Sequence, residues 1–144
     1  MAQETAIDAA VAPIQAFNAK DWDRVVKMFA SDIVFDEVPT HRVVHGVNEV
    51  LALMKGWAEA FPDANGTIES AVTAGNTVVL EITWRGTHTA PLRTGATEMP
   101  ATGRQIEIRS CQVTEIREGV VAALRHYWDL MTMMQQLGAM SAAA

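Results

Sequence analysis

A histidine interrupts the apolar face of what reads as the last strand of the chain. In the run Val120, Val121, Ala122, Ala123, Leu124, Arg125, His126, Tyr127, Trp128, the even positions are apolar except for His126. Alternate side chains of a strand share a face, so His126 points inward with Val120, Ala122, Leu124 and Trp128. An inward imidazole with a pKa near neutrality is a ready proton acceptor and donor.

The same parity sorts two longer strands. In 76–89 the even positions are Val78, Leu80, Ile82, Trp84, Gly86 and His88; in 104–117 they are Ile106, Ile108, Ser110, Gln112, Thr114 and Ile116. The odd positions carry Glu81, Arg85, Glu107, Arg109, Glu115, Arg117 and Arg125. One face is therefore charged and the other mostly apolar, the signature of a half-solvated antiparallel sheet. Ser110, Gln112, His88 and His126 break the inner face, and Glu37 joins them if Phe35 points inward. Buried polar groups need partners, and several converging in an apolar space make a small-molecule site.

On this reading His126 is the general acid or base, and Gln112 and Glu37 orient an oxygen that develops charge. A Glu37 carboxylate beside His126 would raise the imidazole pKa, whereas desolvation would lower it. Trp84, Trp57, Phe35 and Trp128 supply flat apolar walls, with Ile82, Ser110 and His88 sharing the inner face. Asp129 reads first as the N-cap of a closing helix and second as an alternative proton-transfer group. His41 and His45 stand four residues apart with no third ligand nearby, so no metal site is expected. Ser110 lacks the glycine elbow of a nucleophile.

The elements that must position these residues follow from periodicity. Residues 6–18 have a helical repeat containing Pro13, and Asp21 caps a second helix over 22–29. A short strand over 33–38 is closed by Pro39. The longest helical pattern covers 46–61, facing inward through Val47, Val50, Leu51, Met54, Trp57, Ala58 and Phe61, with Asn48 as an alternative cap. Strands follow over 67–74, 76–89, 104–117 and 120–128, the first two joined by the hairpin pair Gly75-Asn76. Residues 90–103 read as a loop, Glu118-Gly119 as a turn, and 129–137 as a final helix with Gly138 just past its end. Helices segregated from an antiparallel sheet give an α+β class, with a curved sheet wrapped around the long helix as a cone. The expected unit is one domain over 1–138, followed by a flexible tail over 139–144.

The 144 residues carry a net charge of −6 and a 49% hydrophobic content, enough for one core. No basic cluster exists to hold nucleic acid, and no apolar run is long enough for a membrane span. The start of the chain lacks a basic region of signal-peptide type, and Cys111 is the single cysteine. A cytoplasmic protein is expected. The mixed charges of the outer sheet face, with Cys111 and Val113 among them, suit a homodimer.

The order of elements, the segment Gly86-Thr87-His88-Thr89, the run Pro100-Ala101-Thr102-Gly103-Arg104, and the ending Tyr127-Trp128-Asp129 followed by Gln136-Leu137-Gly138 resemble the SnoaL-like polyketide (ester) cyclases. These belong to the nuclear-transport-factor-2-like superfamily of α+β cones, and the likeness spans about residues 7–138. It implies an intramolecular aldol cyclase that uses no metal or cofactor. The acid/base of similar cyclases is an aspartate three residues before the aspartate opening the final helix, a position that falls on His126. Their second polar residue, a histidine on the preceding strand, falls on Gln112. The Asp-Arg-Asp set of limonene-type epoxide hydrolases falls on Ile82, Trp84 and His126, which excludes that mechanism. A ketosteroid-isomerase-type carboxylate has Glu37 as its nearest counterpart. The expected function is acid/base proton transfer on a carbonyl-containing aromatic or polyketide-like substrate. The alternatives are an isomerase or dehydratase, or a non-catalytic binding module on the same cone.

Overall fold

The computed structural model describes residues 2–94 and 97–140. Helix α1 spans Ala2–Asn18 with Pro13 inside it. Helix α2, Trp22–Lys27, is capped by Asp21, which accepts from the Arg24 N–H. It ends two residues earlier than its periodicity suggests, because Phe29 already belongs to strand β1, Phe29–Glu37, where it pairs with Val121. A single 3₁₀ turn, Val38–Thr40, holds Pro39, and His41 follows in the left-handed region at φ 56°. The chain then returns as β2, Arg42–His45, a strand too short for its periodicity to be read. Helix α3 spans Val47–Ala60, preceded by Gly46 at φ 87° rather than capped by Asn48. It buries Val50, Leu53 and Ala60; Leu53 was not on the expected apolar stripe.

Strands β3, Asn65–Ala74, and β4, Thr77–Thr87, are joined through Gly75 at φ 61°. The segment read as a loop contains a small hairpin, β5 Leu92–Thr94 and β6 Thr97–Met99. Leu92 anchors it by burying its side chain against Ala60, Phe61, Met133 and Leu137. Strand β7, Gln105–Arg117, meets β8, Val120–Trp128, through Glu118 and Gly119. Both turn residues have positive φ, 53° and 80°, as a tight two-residue hairpin turn requires. Asp129 caps α4, Leu130–Gln136, and Gly138 follows at φ 76°. Of the expected tail, residues 141–144 lie outside the described residues.

The main sheet runs β2-β1-β8-β7-β4-β3. The meander expected from the four later strands is present, and β1 adds to it parallel to β8. Inner parity holds along β4 and β7: Val78, Leu80 and Ile82, and Ile106, Ile108, Ser110, Gln112, Thr114 and Ile116, are buried. It fails at the start of β8. The register shifts between Glu115 and Ile116, which turns Val121 rather than Val120 or Ala122 into the core; parity is restored by Leu124. One extra residue in a ladder reverses the faces before it. Helices α1 and α3 pack their apolar sides against the inner face around Ile14, Val50, Leu53, Leu80 and Leu124. No helix among the described residues is long and apolar enough to cross a membrane.

Candidate active site

Across the middle of the sheet three polar residues stand in one row. Gln112 on β7 lies opposite His126 on β8, and His126 lies beside Glu37 on β1. All three line a cavity of about 120 Å³ between the sheet and the helices. Its walls include Phe17, Phe35, Leu53, Trp57, Trp84 and Trp128.

The two ends of the row differ chemically. Glu37 is buried and fully committed. Its Oε1 accepts from Thr40 Oγ1 at 2.5 Å and Arg42 Nη2 at 3.0 Å, and its Oε2 accepts from Trp57 Nε1 at 2.8 Å. The 3₁₀ turn and β2 bring Thr40 and Arg42 back onto it, with Glu37 and Arg42 paired in register. Gln112 is also buried, yet its side chain makes no hydrogen bond among the described residues. Its amide therefore retains both a free donor and a free acceptor for a ligand.

His126 sits between them. Its ring meets Phe35 edge-on at 6.5 Å and Trp84 at 6.4 Å. Its Nε2 is sealed from solvent without a hydrogen-bond partner. Burial pushes the imidazole pKa down to about 3, because no counterion compensates a buried imidazolium. The Glu37 carboxylate, satisfied by Arg42, Trp57 and Thr40, does not pull it upward as the sequence reading allowed. The imidazole is neutral at ordinary pH.

The structure brings His126, Gln112, Glu37, Trp84, Phe35, Trp57 and Trp128 to one cavity and leaves four expected site residues elsewhere. Ile82 is packed into the core. Ser110 is buried beneath the wall, where its hydroxyl accepts from Trp84 Nε1 at 3.1 Å and donates to the Ile82 carbonyl at 3.3 Å. It fixes the indole and does not line the cavity. His88 is fully buried and stacked on Phe61 at 5.1 Å. Its Nδ1 accepts from the Thr102 N–H at 3.3 Å, so it ties the β6–β7 connection to the end of β4. Burial lowers its pKa. Asp129 is exposed and caps α4, accepting from Thr132 Oγ1 at 2.6 Å and Thr132 N at 2.9 Å. Those hydrogen bonds, the side-chain one first, hold its carboxyl below the usual range. Parity alone does not decide these cases: Ile82 and Ser110 are mid-strand but covered by packing, whereas His88 and Asp129 lie just past the ends of β4 and β8.

Sequence reasoning missed Phe17, Phe29, Leu53 and Phe61 as cavity walls. It also missed Arg42 and Thr40 as the partners of Glu37. The signal for Arg42 was its place five residues after Glu37 across a proline turn, legible only once β2 is known to pair with β1.

The model of the SnoaL-like polyketide cyclase family matches residues 7–137. None of the curated proteins matches the chain in sequence. Among solved structures, the chain is similar to a protein from Jannaschia sp. CCS1 described as a SnoaL-like polyketide cyclase, with 17% identity, a TM-score of 0.85, and 96% of this chain and 95% of that one covered. It is similar to TsrD from Streptomyces laurentii at 21% identity and TM-score 0.83, covering 97% and 99%. An epoxide hydrolase of the LEH-like type from M. tuberculosis aligns at 20% identity and TM-score 0.74, covering 95% and 92%. At these identities the structural likeness speaks for the cone fold.

Proposed function

The chain belongs to the SnoaL-like polyketide cyclase family, and on that premise we propose that it is a cofactor-free enzyme of carbonyl compounds that closes a ring by an intramolecular aldol reaction. The observation that carries this reading is the pair His126 and Gln112. They are adjacent across the ladder, both face an apolar cavity, and neither side chain has a hydrogen-bond partner among the described residues.

The neutral imidazole takes a proton from the carbon next to a substrate carbonyl. The Gln112 amide N–H donates to that carbonyl oxygen as it becomes an enolate oxygen. The enolate carbon then attacks a second carbonyl of the same molecule, forming the ring C–C bond. The imidazolium returns its proton to the new alkoxide. A pKa of about 3 in the empty cavity makes His126 a weak base by itself, but the enolate formed beside it is the missing counterion and raises its basicity when needed. Glu37 holds Trp57 in place through the indole N–H rather than moving a proton.

A binding module without chemistry is the second reading, favoured by the full commitment of the Glu37 carboxylate. Deuterium exchange at carbons next to the carbonyl separates the two, measured by NMR on a panel of polyketide-like ketones. The enzyme reading expects exchange that falls roughly 10²–10⁴-fold in His126→Ala while the circular dichroism spectrum is kept. His126→Asp, which restores the residue of similar cyclases, retains part of the rate. Exchange equal in wild type and His126→Ala sinks the assignment, and loss in Asp129→Asn without unfolding transfers the role to Asp129. We place the protein in the cytoplasm as a homodimer joined through the outer sheet face.

A further inference from the structure

The cavity that holds His126 is small, and its walls are fastened. Trp84 is held by its indole N–H on Ser110 at 3.1 Å and by edge contact with Phe17 at 5.4 Å. Trp57 is held by its indole N–H on Glu37 at 2.8 Å, stacks on Phe61 at 6.1 Å, and meets Trp128 edge-on at 5.5 Å. Moving either indole breaks a hydrogen bond and an aromatic contact together, so the walls resist widening. The space between these walls, about 120 Å³ and open on one side, compares with the roughly 150 Å³ apolar cavity that takes a benzene ring in a protein of known behaviour. One six-membered ring fills the walled part; a fused polycycle would have to leave rings outside it.

Charge narrows the ligand further. Glu37 is the carboxyl group beside His126, and Arg42 already pairs with it at 3.0 Å. Arg85 reaches the margin of the cavity but is paired with Glu107 at 2.6 Å. An anionic ligand would lose its hydration, meet no free cation among the described residues and lie against a carboxylate. The open polar groups are the Gln112 amide and a neutral imidazole, which together offer a donor for a carbonyl oxygen and an acceptor for a hydroxyl.

We infer that the cavity selects an uncharged, single-ring ligand bearing a carbonyl and a hydroxyl, and turns away carboxylates and fused polycycles. This rests on the proposed use of the same cavity as the substrate site. It concerns equilibrium binding, so it stands or falls apart from any turnover.

Titration calorimetry at neutral pH with the full chain tests it, using 3-hydroxyacetophenone, 3-hydroxybenzoate and 2-acetylanthracene. The first should bind one to one; the second, identical in ring and hydroxyl but carrying a carboxylate, should bind at least about tenfold more weakly. The third should show no heat of binding. Gln112→Leu should weaken 3-hydroxyacetophenone severalfold, and Leu53→Trp, which fills the space, should abolish it. If Leu53→Trp fails to fold, Gln112→Leu alone locates the site. Equal or tighter binding of 3-hydroxybenzoate, or any tighter binding of 2-acetylanthracene, overturns the inference. So does no binding of 3-hydroxyacetophenone at millimolar concentration, or binding that Gln112→Leu leaves unchanged. Binding as expected without proton exchange would remove the enzyme reading and leave this one intact.

Discussion

Replacing His126 by leucine should make the protein less sensitive to acid. The imidazole has a pKa of 6.5 in the unfolded chain and about 3 in the folded one, so between those values the unfolded state binds the extra proton. Stability is then highest above about pH 6.5 and falls as the pH drops toward 3, the sign expected for a group buried neutral. Each decade is worth about 1.36 kcal/mol, so going from about pH 8 to about pH 4.5 costs the wild type about 2.7 kcal/mol through this residue. For a domain of this size that is a fall in Tm of about 5–11 °C. His126→Leu lacks the term, and its side chain suits the apolar surroundings of Phe35 and Trp84. His88 is also lowered by burial, but it is present in both proteins and cancels in the difference. Urea unfolding at a series of pH values measures the gap directly. Parallel pH profiles for wild type and His126→Leu would falsify the burial argument, and with it the view that the site holds a neutral imidazole. A gap that opens only above neutral pH would mean that the folded-state pKa is raised and that Glu37 governs it after all.

Other substitutions test the frame around that histidine. Glu37→Gln sets an amide N–H₂ against the donors of Thr40, Arg42 and Trp57 and should cost about 3 kcal/mol in urea unfolding. Gly66→Ala places a Cβ 2.9 Å from the Trp84 ring, which is also held by Ser110 and Phe17; a loss of about 1–3 kcal/mol is expected, together with a shift in tryptophan fluorescence. The outer sheet face pairs Arg85 with Glu107 and Ser70 with Glu81 within the chain, while Val72 and Tyr127 remain exposed there. Sedimentation at micromolar concentration should report a dimer, and Val72→Lys should shift it toward monomer.

The linear sequence determined a good deal because alternation and capping are local. Even parity on β4 and β7 separated the core from the charges. Asp21 and Asp129 announced helix starts, and Gly75 and the pair Glu118-Gly119 announced turns; each depends on neighbours within a few residues. His126 and Gln112 were legible as inward polar groups for the same reason. Tertiary structure decided the rest. The parallel pairing of β1 with β8 set Glu37 beside His126, although 89 positions separate them in the chain. The return of β2 gave Glu37 its arginine and occupied its carboxylate Oε1. The bulge opposite Ile116 turned Val121 inward against the simple parity. Whether an inward residue meets a cavity or solid packing is also beyond the pattern: Ile82, Ser110 and Gln112 share a face, yet Gln112 alone of the three opens on the cavity. Periodicity specifies a face, but the depth of burial and the pKa that follows depend on which elements close over that face.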